Sequence, residues 1–113
     1  MIKVLITNGG SRFAPVWICD ECEQMIDNGG LAVAVHVNRT NAEEYLSEGQ
    51  LVDVKICHKG KCHDNIDEKL GGKMITGWME FNQFLIRSGY NAGSSLDDLL
   101  KIESVHLKAG ELE

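Results

Sequence analysis

Hydrophobic and polar positions alternate in short runs over the first half of the chain and shift to a helical period towards its end. Ile2, Val4 and Ile6 alternate with Lys3, Leu5 and Thr7, which predicts a short strand stopped by Asn8-Gly9-Gly10. The next segment, "RFAPVWICDECEQMI", holds the single proline and then an apolar approach to Cys19, and it reads as a strand entering a tight turn. Asp27-Asn28-Gly29-Gly30 is a turn signal. The run "LAVAVHV" that follows is rich in β-branched residues and too short for an ordinary helix, so it is a predicted strand.

In "RTNAEEYLSEGQ", Thr40 and Glu43 fit a capping box and Gly49 a stop, which predicts a loop or a brief helix. "LVDVKIC" then places Val52, Val54 and Ile56 on one face of a strand and Asp53 and Lys55 on the other. "CHDNIDEKL" before Gly71-Gly72 predicts a helix with a glycine stop. Further on, Thr76 is placed to cap "GWMEFNQFLIRSG", in which Trp78, Phe81 and Leu85 fall at helical spacing. Ser94 or Ser95 is placed to cap "LDDLLKIES". The expected role of these aromatic and leucine positions is to pack two helices onto the sheet rather than to form a partner-binding stripe.

These elements describe an α+β fold: a small antiparallel sheet with C-terminal helices packed on it. With 113 residues, an apolar fraction of 43% and aromatics at only 6%, the expectation is a single domain over 1–113 with a modest core. Its metal-binding part covers 16–72 and its helical part 73–113. The N-terminal apolar run is too short for a secretory signal, and no segment approaches the ~20 apolar residues of a membrane helix. The sequence therefore predicts no membrane association and a cytoplasmic protein, whose thiols stay reduced and serve metals more often than cross-links. A net charge of -6 opposes non-specific nucleic-acid binding. Lys55, Lys59, Lys61, Lys69 and Lys73 cluster, but Asp53, Asp64, Asp67 and Glu68 are interleaved among them, as on a solvated face.

The chemistry is concentrated in the cysteines and histidines, four of each. Cys19-Asp20-Glu21-Cys22 has the spacing that lets two thiolates from one turn reach a single ion. Asp20, Glu21 and Glu23 surround the pair with negative charge, which disfavours a free redox thiolate and suits a dication. The other two ligands must come from Cys57, His58, Cys62 and His63. Continuing the strand's two-residue period to 58 sets His58 inward with Val52, Val54 and Ile56, and Cys57 outward with Asp53 and Lys55. On the helix, Cys62 shares a stripe with Ile66 and Leu70, whereas His63 lies near Asp67 on a more exposed side.

Phase thus selects Cys19, Cys22, His58 and Cys62, a closed shell of three thiolates and one imidazole typical of structural Zn²⁺. A phase slip at the strand's end substitutes Cys57 for His58, and His63 is a further candidate. Without a metal the cysteines would be buried hydrophobes. His36, which alternates with Ala32 and Ala34, and His106 read as ordinary side chains.

A Cys-x-x-Cys turn, two strands and two ligands near a helix start resemble a treble-clef zinc domain over 16–72. "ICDECEQMIDNG" and "HKGKCHDNID" also resemble segments of small bacterial proteins of unassigned function that carry Cys-x-x-Cys and then His-Lys-Gly-x-Cys. That resemblance implies His58 and Cys62 as ligands and brings no activity with it. The chain has no glycine-rich phosphate loop, serine nucleophile motif or paired-carboxylate constellation, so the expectation is a non-enzymatic zinc module that binds an unknown protein partner. Nucleic-acid binding is the alternative. A thiol oxidoreductase at Cys19 and Cys22, or a hydrolase using His63 beside the metal, is the remaining class.

Overall fold

The alternating runs become strands, which form three separate antiparallel sheets among the described residues. The computed structural model describes residues 1–95 and 97–101, and it is mixed α/β, with small antiparallel sheets and a few helices. Strand β1 (Ile2–Thr7) pairs with β2 (Arg12–Trp17) as a hairpin, turned by a short 3-10 segment at Asn8–Gly10. Strand β3 (Ala32–Val37) is the centre of a three-stranded sheet, flanked by β6 (Val54–His58) and β7 (Thr76–Glu80) in the order β6-β3-β7. Helix α1 (Lys61–Lys69) follows β6, and α2 (Phe81–Asn91) follows β7.

The chain divides into two compact units, Met1–Asn82 and a second beginning at Gln83. In the first, the core joins Val33 and Val35 of β3 to Cys57 of β6, Ile66 of α1 and Cys19, with Ile26, Cys62 and Leu70 packed against it. Ala32, Val33, Ala34 and Val35 are all buried, so β3 is covered on both faces, as the central strand of a sandwiched sheet must be. Phe81 is buried and meets Trp17 edge to face, ring centroids 5.2 Å apart, a favoured aromatic geometry. Gly29 passes so close to Phe81 that a Cβ there would lie 3.1 Å from its ring and 2.4 Å from the Asn82 side-chain oxygen. In the second unit, Ser95 Oγ accepts the Asp98 amide at 3.1 Å, an N-cap for the helical residues 97–101, so the capping role anticipated for Ser94 or Ser95 goes to Ser95. The rest of the anticipated helix "LDDLLKIES", at 96 and 102–104, lies outside the described residues, as does His106. Among the described residues no helix is long and apolar enough to cross a membrane.

Three expectations are corrected. Thr76 begins no helix: Thr76–Glu80 is β7, paired to β3 from Val33↔Glu80 to Val37↔Thr76, and the helix starts only at Phe81. Trp78 therefore points from a strand, largely exposed, and of Trp78, Phe81 and Leu85 only Phe81 is buried. The free edge of β3 supplies a ladder whose hydrogen bonds outweigh the helical spacing, a tertiary override of local pattern. The segment "RTNAEEYLSEGQ" contains no helix but a small ladder of β4 (Arg39–Asn41) and β5 (Glu44–Tyr45), held by the Arg39 guanidinium 4.0 Å over the Tyr45 ring. The strand anticipated at 51–57 is Val54–His58, whose ladder with β3 runs from Ala32↔His58 to His36↔Val54.

Candidate metal centre

Cys19 and Cys22 stand on a knuckle that leaves β2. The chain reverses tightly there: the Glu23 amide donates to Cys19 O at 3.0 Å and the Cys19 amide to Gln24 O at 2.9 Å. Glu23 adopts φ 61, an uncommon conformation for a residue with a Cβ, to close the turn. The amides of Glu21 and Cys22 point at Cys19 Sγ, at 3.4 and 3.5 Å. Asp20 fastens the knuckle to the sheet. Its amide donates to Ile56 O at 2.8 Å, and its carboxylate accepts the Ile56 amide at 2.7 Å.

The other two residues flank the β6–α1 turn. His58 ends the strand, Cys62 lies in the first turn of the helix, and Gly60 between them takes φ 83 and ψ -126, a backbone state that glycine alone adopts readily. Lys59 continues the sheet by donating its amide to Leu31 O at 2.9 Å. Its ammonium pairs with Glu80 at 2.8 Å, and Lys69 of α1 pairs with Glu21 of the knuckle, so both turns carry an ionic tie to a neighbouring element.

These elements bring together Cys19, Cys22, His58 and Cys62, the four residues that phase and resemblance selected: one ligand atom from each lies within 4.8 Å of all the others. Cys22 Sγ is 3.4 Å from His58 Nδ1. Zinc–sulfur and zinc–nitrogen bonds of about 2.3 and 2.0–2.1 Å set neighbouring donors of a tetrahedral shell about 3.5–3.8 Å apart, so the spacing and donor types suit such an ion. Cys19 is buried, Cys22 exposed, and His58 and Cys62 half-buried, which leaves the cluster at the edge of the core.

The thiols differ in acidity. Burial alone would push Cys19 up, but hydrogen bonds from the backbone amides of Cys22, His58 and Glu21 and from the Cys22 side chain together outweigh it and bring Cys19 down to about 6. Cys62 is pushed up to about 12, first by burial, then by its hydrogen bonding to Cys19 and Cys22 and by their negative charge. Three thiolates cannot sit side by side in this space unaided; one takes the charge and its neighbour keeps a proton. A dication reverses that balance, since metal binding deprotonates coordinating thiols outright.

Cys57 and His63 are placed otherwise than strand and helix phase implied. Cys57 was expected on a polar face, yet it is 0% exposed, opposite Val33 in the core. Ile56 and Cys57 are both buried, so this half of β6 has no wet face, and alternation of polarity there carried no information. Burial first, then the charges of Cys19, Cys62, Asp67 and Asp20, raises the Cys57 thiol to about 12. His63 was expected on a more exposed side, but its Nε2 is buried 3.4 Å from Asp67 Oδ2, and its ring meets Trp78 edge-on. Asp67 is itself buried, and its other oxygen accepts the Thr76 hydroxyl at 2.8 Å, tying α1 to β7. Neither Cys57 nor His63 belongs to the cluster of four. His36 also stands apart, its Nδ1 3.0 Å from Val37 O.

Sequence reasoning missed the Asp20 and Asp67 carboxylates as structural hydrogen-bond acceptors. For Asp67 a signal existed in its i,i+4 relation to His63; for Asp20 none did, because its partner is 36 residues away. Compared with protein-family models, curated proteins and solved structures, the chain has no match, so the metal centre stands on its own geometry as a cluster of three cysteines and one histidine able to hold a metal ion.

Proposed function

We propose that the chain is a non-enzymatic module of treble-clef type, in which Cys19, Cys22, His58 and Cys62 hold a structural Zn²⁺ and the folded unit binds another protein in a reducing, cytoplasmic compartment. The observation that carries this reading is the convergence of the four donors within 4.8 Å from two separate turns. The order of a Cys-x-x-Cys knuckle, two antiparallel strands and a helix whose first turn bears the last ligand supports the treble-clef reading. With four protein ligands the shell is closed, and a closed shell supports a structural over a catalytic ion. The ion's work is then mechanical: it joins the knuckle to the β6–α1 turn, and its binding free energy is folding free energy, of order 10 kcal/mol apparent in small zinc peptides.

The protein-binding reading is favoured over nucleic-acid binding by the environment of the lysines. Lys59, Lys69 and Lys73 each lie beside a carboxylate, of Glu80, Glu21 and Asp64, so they are partly neutralised already. Elemental analysis of protein purified without added metal tests the central claim. About one zinc per chain is expected, lost in His58→Ala and Cys62→Ser and kept in Cys57→Ser. Metal-free wild-type protein with an unchanged melting temperature in chelator would overturn it.

A further inference from the structure

The β1–β2 hairpin carries an apolar surface that its own unit leaves in water. Its register sets Ile2 opposite Trp17, Val4 opposite Pro15 and Ile6 opposite Phe13, and directly opposed residues share a face. That face therefore holds six apolar residues and no polar one. Lys3, Thr7 and Arg12 all lie on the other side. Only at the Trp17 end does the face join the core, through the contact with Phe81. Beyond it Ile2, Val4, Ile6 and Phe13 are 60, 55, 61 and 73% exposed. Among the described residues no third strand extends the hairpin. An isolated two-stranded ribbon is marginal in water and gains its stability by covering such a face.

We infer that this face is the contact surface of a symmetric homodimer, in which the hairpins of two copies stack face to face. The area decides for a second copy. Each exposed aliphatic side chain offers about 100 Å² and Phe13 somewhat more, so the face comes to roughly 500 Å² per copy and about 1,000 Å² for two, the lower bound for a specific interface. A two-fold axis lets the same patch serve both sides, and a face without charges brings no like charges together. Pairing along a strand edge would leave Ile2, Val4, Ile6 and Phe13 in water, whereas stacking covers them. The inference is independent of the metal reading, since no residue of the four-donor cluster lies on the hairpin.

Sedimentation velocity on the full chain, across the micromolar range, tests it. The wild type is expected at twice its 12.5 kDa chain mass at the upper concentrations. Phe13→Glu, on the stacked face, should raise the dissociation constant at least tenfold, while circular dichroism still shows a folded chain. Ile6→Lys is the second variant on that face, with the same expected loss. Leu5→Glu, on the opposite face, should leave the dimer intact. A wild type that is monomeric throughout, a dimer that survives both face variants, or a dimer broken equally by Leu5→Glu would each overturn the inference.

Discussion

The four-donor cluster and the N-terminal hairpin belong to the same unit, yet they are organised by opposite means. Around the cluster nearly every polar group has a named partner: Asp20 holds the Ile56 amide, Glu21 meets Lys69, Glu80 meets Lys59, and Asp67 holds Thr76. The hairpin has a backbone ladder and little side-chain burial beyond Trp17. The contrast shows how a small chain with few aromatics divides its stability. Where hydrophobic area is short, directional bonds and a candidate ion fix geometry; where apolar area is left over, it waits for another surface.

The largest effect expected along this contrast is metal removal. A chelator, or Cys62→Ser, should remove most of the apparent stabilisation of order 10 kcal/mol and unfold the cluster region, read as lost protection in hydrogen exchange at β6 and α1. A region that keeps its protection without metal would move the cluster to the hairpin's side of the comparison. Next is Asp67→Ala, which removes the acceptor of the Thr76 hydroxyl and the carboxylate beside His63; a loss of about 1–3 kcal/mol in urea unfolding is expected, with zinc content unchanged.

Cys57 gives a pH signature. Its folded value of about 12 lies above the ordinary 9.0 of a thiol, so folding favours the protonated form. Its contribution is therefore complete below pH 9 and is lost as pH rises from 9 towards 12. Cys57→Ala should remove that alkaline loss while lowering stability at neutral pH by about 1–2 kcal/mol through the small cavity it leaves. Smaller again is Lys69→Ala, about 0.2–1 kcal/mol, since the lysine end of its pair with Glu21 is largely in water. The smallest expected effect is Phe13→Glu on the monomer, within about 0.5 kcal/mol, because the ring touches little within its own chain. A larger loss there would show that the hairpin is packed after all, and the contrast would narrow.

Much of this was legible in the chain. The β1, β2, β3 and α1 segments follow from short-range pattern, because alternation, Asn-Gly-Gly and Gly-Gly signals act over a few residues. The cluster's composition was legible too, since Cys-x-x-Cys is a local geometric statement. The assignment of Cys57 was not. Strand phase distinguishes two faces only when one is wet, and both faces of β6 at Ile56 and Cys57 are covered. Nor was β7: "TGWME" reads as the head of a helix until the open edge of β3, some forty residues earlier, is beside it.

By itself, then, the sequence determined which residue types carry the chemistry, where the chain turns, and that two turns, at 19–22 and 58–62, bear the candidate ligands, because each of these rests on interactions between near neighbours. Only the tertiary structure decided that Cys57 lies buried in the core, that Trp78 lies on a strand, and that the hairpin's apolar face is left uncovered. Those outcomes depend on which surfaces meet, and contacts between residues 20 to 60 positions apart leave no periodic trace in a single chain.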